Sequence, residues 1–324
     1  MPTTITNATG TSTLSNLLQV SYDKLVEFNL RSEPMFRKFA DKRPSDVTNP
    51  GNTVVFQVHK DLARVTAALT QTVSPDAVAL NNTDKVSVTV DEWGNLVTNT
   101  ERAELELISS INPAIADLLA YNMRDTLDAQ VWAKLTGLAT GRFTGTTSAD
   151  ETTVNGQDVS ASTNAAFITS ALARKAVAKL RGANVQPRDG GFYTALIHPD
   201  VSYDLRSEAV GSGVAVWQQP HTYTEAGVGN LWNGEIGIFD QVRYIETPRA
   251  EVASGTGANK IYKTVILGKQ ALLEAVSYEP KTVISPMTDP LLRFRSAGWK
   301  GLLGWNIFRP EARYVITSKS SIAA

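Results

Sequence analysis

Cysteine is absent from the 324 residues, and histidine occurs only 3 times. The first absence excludes disulfides, thiolate metal sites and cysteine nucleophiles, and leaves the chain indifferent to the redox state of its compartment. The second leaves His59, His198 and His221, none with a further histidine or carboxylate at the helical spacing of a zinc motif. Charge is scarce as well: 19% of residues are charged, and 31 Lys+Arg nearly cancel 32 Asp+Glu for a net charge of -1. No basic run or acidic tail stands out, which argues against tight sequence-specific binding of nucleic acid. A surface with so little charge, rich instead in Thr, Ser, Asn, Ala and Gly, is poorly defended against self-association and points to an oligomer. No apolar stretch approaches the ~20 residues that span a bilayer. The first residues have neither the cationic start nor the apolar core of a signal peptide. A soluble protein made in the cytoplasm, with no membrane partner, is expected.

What is present reads as an α+β chain. Residues 1–13 carry no apolar period and read as an arm too polar to order itself. Leu14 to Phe39 suggests helical pieces broken or started at Pro34, followed by the turn-rich RPSDVTNPGNT. Two β-branched runs, NTVVFQV and KVSVTVDEW, then look like the strands of one hairpin, but about 25 residues separate them. Hairpin loops usually hold about 2–5 residues; a loop this long is either functional or disordered, or the strands form an extended arm that needs a partner surface.

The best helix is expected over about 112–136, with Asn112 as N-cap, Pro113 in the first turn and Gly137 as the stop. Its apolar face is Ile115, Leu118, Leu119, Met123, Leu127, Val131, Trp132 and Leu135, along a rod of roughly 35 Å. After a Gly/Thr/Ser-rich stretch, a second helix is expected from near Asn164 to Gly182, its face set by Phe167, Ile168, Ala171, Leu172, Val177 and Leu180. FYTALI reads as a buried strand and HPDVSYDL as a turn into a short helix. The rest reads as mostly short strands punctuated by Gly and Pro, without internal repeats.

Catalytic constellations are absent from the pattern. His198 and Asp200 could form an acid–base couple, but read more simply as a strand-end turn. Neither VGSGV nor AGVGN lies between a strand and a helix, as a dinucleotide loop must. Gly268-Lys269 lacks the P-loop glycine, since position 263 is Lys. Glu101, Glu104 and Glu106 read as solvated acids near a helix start rather than a glycosidase pair. The six tryptophans are scattered, which suits core or interface anchoring. No catalytic, cofactor-binding or metal-binding residue is assigned.

The linear order carries a resemblance. NPGNTVVFQV, DEWGNLVTNTERAELEL, LDAQVWAKL, FYTALIHPDVSYDL, LWNGEIGIFDQVRYIETP, KTVILGKQALLEAV and SPMTDPLLRFRSAGWKGLLGWNIFRPEARYVITS follow one another as in the major capsid proteins of tailed phages with the Hong Kong 97-like fold. This resemblance implies an N-terminal arm at 1–50 and an extended β-hairpin loop at 51–98. It further implies a peripheral domain at 99–163 and 262–324 that holds the spine helix, and an axial domain at 164–261. The implied role is a structural subunit, not an enzyme, that self-assembles into an icosahedral head shell around double-stranded DNA. Implied partners are its own copies in hexamers and pentamers, a separate scaffolding protein, a portal, and packaged DNA held non-specifically. Assembly would take place in the host bacterial cytoplasm, and the location would be the virion. Phe56, Val58, Val88 and Trp93 are the candidate contacts between subunits. An encapsulin-like compartment shell is the alternative, and an α+β enzyme of unfamiliar class the more distant one.

Overall fold

The structure is a computed structural model that describes residues 32–44, 53–59, 83–102, 111–137, 142–143, 153–154, 157–158, 167–188, 190–208, 235–254, 260–285 and 293–322, with 62–66, 68–69, 71–72, 74 and 77. The arm before residue 32, most of 138–166, both glycine-rich motifs, Glu104, Glu106, His221, Trp217 and Trp232 lie outside the described residues. Three helices are described: α1 (Ile111–Thr136), α2 (Ser170–Gly182) and α3 (Pro199–Ser207). The strands are β1 (Asp41–Pro44), β2 (Thr53–His59), β3 (Thr83–Thr89), β4 (Asp91–Thr100), the two-residue β5 (Arg142–Phe143), β6 (Thr153–Val154) and β7 (Gln157–Asp158), β8 (Tyr193–Ile197), β9 (Glu235–Phe239), β10 (Val242–Glu246), β11 (Glu251–Ser254), β12 (Lys260–Leu267), β13 (Leu272–Ile284), β14 (Phe294–Ile307) and β15 (Arg313–Ser318).

A seven-stranded sheet runs β5-β15-β12-β8-β10-β9, with β11 on the remaining stretch of β12. Strand alternation sends its side chains to two cores. Leu196, Ile245, Val265, Leu267 and Val315 face the C-terminal half of α1. Tyr193, Ala195, Ile197, Tyr244, Ile266 and Ile316 face the other way, toward Leu172, Ala176, Val177 and Leu180 of α2 and Val201 and Leu205 of α3. β8 is therefore buried at every position, as a strand covered on both faces must be. A four-stranded sheet, β1-β13-β14-β4, packs on the other flank of α1. The expected limit between axial and peripheral segments, at 261/262, falls inside β12, and β12 and β15 complete the sheet that contains β8 and β10.

The long helix spans nearly the expected residues, although Asn112 and Pro113 lie within its first turn rather than at a cap. Its buried stripe is Ile115, Leu119, Leu127, Val131 and Leu135, with Trp132 beside it. Spaced by fours, these positions drift around the helix, so that Ile115 and Leu135 lie on opposite flanks and serve different sheets. Leu118 stands outside that stripe and is exposed. α2 begins later than expected, because the Thr169 hydroxyl caps it by accepting the Leu172 N–H and Phe167 bridges to Lys319 as extended chain. Ala171 is consequently exposed, and Ala173 and Ala176 join the buried face. The expected run of short strands is also corrected. β13 passes through Pro280 by a register shift between Tyr278 and Lys281, and β14 is one 14-residue strand carrying three glycines.

The carboxyl end of α1 is buried, so its last carbonyls need donors. Arg313, 1% exposed, supplies them. Its guanidinium donates to the carbonyls of Lys134 (2.8 Å), Leu135 and Gly137 (2.8 Å). The Lys263 ammonium donates to Thr136 O at 3.2 Å. Both cations also offset the negative pole of the helix dipole. Replacing Arg313 with Met keeps the volume but orphans three carbonyls. R313M should lose about 2–4 kcal/mol in urea unfolding, and a loss under about 0.5 kcal/mol would show that water caps the helix equally well.

Candidate assembly surfaces

β2 and β3 pair in register from Thr53↔Thr89 to His59↔Thr83 and, among the described residues, pair with no other strand. The base of this hairpin is held by its own chain. Val88 and Val90 are buried with Leu273, Ala275 and Phe308, and Val54, Phe56 and Val86 pack against that group. Asn306 Nδ2 donates to Ser87 O at 2.7 Å. Gly304 of β14 lies directly beneath the end of β3, and a Cβ there would collide with the Thr89 carbonyl. Farther out, among the described residues, Leu62 is 56%, Val65 81% and Leu69 75% exposed.

The four residues singled out in the sequence therefore separate. Val88 is 0% exposed and closed off by its own chain. Trp93 donates from Nε1 to Leu303 O at 3.3 Å and leans on Trp305 with ring centroids 6.2 Å apart. Phe56 is half-buried against the hairpin's own footing. Val58 pairs with Asp84 in the ladder, and its side chain is outside the described residues.

A second bare region was not singled out. At the far end of the four-stranded sheet, Leu96, Val97, Val283, Ile284 and Phe294 are all exposed, Ile284 by 73%. Val97, Ala297 and Ile284 are neighbours across three strands. They line an apolar cleft of about 280 Å³ that Ile115 and Leu119 of α1 close on one side. Adjacent apolar pairs (Leu96-Val97 and Val283-Ile284) were the signal, since alternation sends one of each pair to either face of the sheet.

The charged groups inside the fold fasten elements together. Asp128 on α1 accepts the Arg37 backbone N–H at 3.1 Å and the Arg249 Nε–H at 3.2 Å. Burial pushes its carboxyl above the usual range, against the lowering effect of the Arg37 N–H and the Arg249 charge. Burial likewise raises Glu274, opposed by Arg37, whose guanidinium lies 2.8 Å away. These contacts, with the stacking of Phe36 on Trp132 (centroids 4.4 Å), bind residues 32–44 to α1 and the four-stranded sheet.

The former catalytic candidates are similarly occupied. His198 caps α3: its Nδ1 accepts the Asp200 N–H at 3.2 Å, and the Asp200 carboxylate takes the Tyr262 hydroxyl at 2.5 Å. The lone pair that a general base would use is engaged on the backbone. The Gly268 and Lys269 amides, which a phosphate loop would aim at its ligand, donate to Ala312 O (2.7 Å) and Gln186 O (2.9 Å). Glu101 sits in a helical turn just after β4. Among the described residues, no group of three His, Asp or Glu could hold a metal ion, and no helix is long and apolar enough to cross a membrane.

This arrangement has counterparts. The capsid of Ralstonia phage GP4 is similar with a TM-score of 0.68 and 10% identity, over 98% of this chain and 99% of that one. The capsid asymmetric unit of cyanophage Pam1 gives 0.65 and 12%, over 95% and 98%. The acid-stable capsid of Helicobacter pylori bacteriophage KHP30 gives 0.65 and 16%, over 97% and 99%. By fold, then, the protein is of the phage capsid class. No curated protein sequence matches it. A family model for phage capsid proteins matches residues 41–289. The chain belongs to the phage capsid protein family, and its role is that of a major capsid protein in the virion's head shell.

Two outcomes follow from this geometry. G304A should lift β3 from its seat and cost about 1–3 kcal/mol, with hydrogen exchange rising in 83–90 and staying unchanged in α2; equal protection in both variants would contradict the close approach. Asp128 binds its proton more tightly folded than unfolded, so its contribution is retained below the ordinary carboxylate pKa and declines as pH rises from there through the raised value. D128N removes that decline. Urea midpoints from about pH 4 to 7 should show wild type losing ground to D128N as pH rises, and parallel curves would rule the linkage out.

Proposed function

We propose that copies of this chain close into an icosahedral shell as hexamers and pentamers, with the hairpin of each subunit reaching onto the next. The observation that supports this reading is the contrast within one hairpin. Its base is anchored by Val88, while Leu62, Val65 and Leu69 beyond it project without cover from their own chain. Apolar side chains left bare in that way are stabilised only by another surface, and, among the described residues, no further strand pairs with β2 or β3. The apolar end of the four-stranded sheet is a second surface that a neighbour would cover. Symmetry repeats each contact around the shell, so modest interfaces suffice.

In this reading, residues 1–50 are an N-terminal arm and 51–98 the extended loop; 99–163 with 262–324 form the peripheral domain, whose spine is α1, and 164–261 the axial domain. Phe56, Val58 and Trp93 border the inter-subunit contact, with Val88 supporting it from beneath. A separate scaffolding protein and a portal take part in assembly in the bacterial cytoplasm, and the closed shell encloses double-stranded DNA. Its role is mechanical, with no catalytic step.

L62S/V65S/L69S tests the reading. Negative-stain microscopy of the wild-type chain co-expressed with a candidate scaffold should show closed shells, and correctly sized shells from the chain alone would exclude the scaffold's part. The triple variant should remain folded by circular dichroism yet stay as free subunits or capsomers. Normal shells from the triple variant would exclude the hairpin as the joining element.

A further inference from the structure

The outer face of α2 has a charge pattern that the near-neutral whole conceals. We infer that this face is a contact surface for the phosphate backbone of double-stranded DNA, a proposal that rests on reading the chain as a shell subunit and names where the enclosed polymer would touch it. The helix contains Arg174, Lys175, Lys179 and Arg181 and no acidic residue in 13 positions. Its apolar stripe is buried on the sheet, and all four cations lie on the exposed side.

Among the described residues, two carboxylates approach this helix. Glu208 accepts the Ser170 N–H at 2.6 Å, and Asp240 pairs with Arg174 at 2.7 Å from the β9–β10 turn. Among the described residues, neither Lys175 nor Arg181 has an ion-pair partner. Between Lys175 and Lys179 lies a shallow open depression floored by Ala178, Gly182 and Ala183. Small residues there let a bulky anionic group approach the helix surface while the two ammonium groups flank it.

The helix dipole accounts for only part of this pattern. Cations in the last turn, Lys179 and Arg181, offset the negative pole. Arg174 and Lys175 stand too far from that end to benefit, because the effect fades within one turn. From Arg174 to Arg181 the stripe runs about 10 Å, roughly three phosphates of one DNA strand.

A polymer backbone fits this face better than an acidic protein does. Protein interfaces are anchored by aromatic or large aliphatic side chains in their centre. Here the exposed apolar positions are only Ala171 and Ala178. Phosphate contacts need no such anchor, since displaced counterions supply the driving force. One copy would bind weakly, but a shell presents the same face many times to one polymer.

The test uses the full-length chain before shell closure and a fluorescent duplex of about 20 base pairs, from about 50 to 200 mM salt. Wild type should bind with a linear dependence of log affinity on log salt. K175Q/K179Q should flatten that slope by up to about 1.8, or about 0.9 for each phosphate no longer neutralised. K175E/K179E should abolish binding, whereas the charge-matched control K281E/K300E, on the exposed stretch of β13 and β14, should leave it unchanged. An unaltered slope in K175Q/K179Q overturns the proposal, as does an equal loss in the control. Polyglutamate of matched charge binding as tightly as the duplex also overturns it, in favour of an acidic protein. Shell formation is scored separately by microscopy. Shells that form while the slope stays fixed sink this inference alone, and duplex binding of the expected slope without shells sinks the shell reading alone.

Discussion

The carboxyl end of α1 is the point on which the architecture turns. A 26-residue helix that ends inside a protein leaves carbonyls that water cannot reach. Arg313 and Lys263 meet them from β15 and β12, neighbouring strands at the heart of the seven-stranded sheet. That attachment fixes where the helix lies on the sheet. Asn122, farther along the helix, then fixes the second sheet by accepting from Trp299 Nε1 at 3.0 Å and Asn95 Nδ2 at 3.1 Å. One rod thus carries both sheets, with polar contacts setting the position and apolar area supplying the stability.

Against this firmly held body, the hairpin is a deliberate contrast. Close approach at Gly304 and the Val88–Phe308 cluster secure its base. Among the described residues farther out, Leu62, Val65 and Leu69 are exposed. A monomer gains nothing from that combination, since exposed apolar groups invite aggregation. In the proposed shell, a neighbour would cover these same residues.

Charge is divided between the same two purposes. Arg313, Asp128 and Glu274 are almost wholly buried and join elements that are distant in sequence. The cations of α2 stay on the surface. The net charge of -1 says nothing of this division, because a sum over residues discards where each one points.

Much of the framework could be read from residue order alone. The apolar positions from Ile115 to Leu135 marked a long helix, β-branched runs marked the pairing of β2 and β3, and FYTALI marked the buried β8. Those features are local, governed by backbone geometry and by periodicity within one element. Distant partners were not legible in that way. Glycines in β14 looked like breaks between strands, but at Gly304 the approach of the Thr89 carbonyl, and at Gly298 that of the Asn95 carbonyl, leaves no room for a side chain. Val88 looked like a contact for a neighbour, yet Leu273 and Phe308, more than 180 residues later, cover it. Arg313 gave no hint that it closes a helix ending at Thr136. Sequence determines which surfaces each element has to hide; only the folded chain decides which of them it hides itself, because that depends on contacts between residues far apart in order.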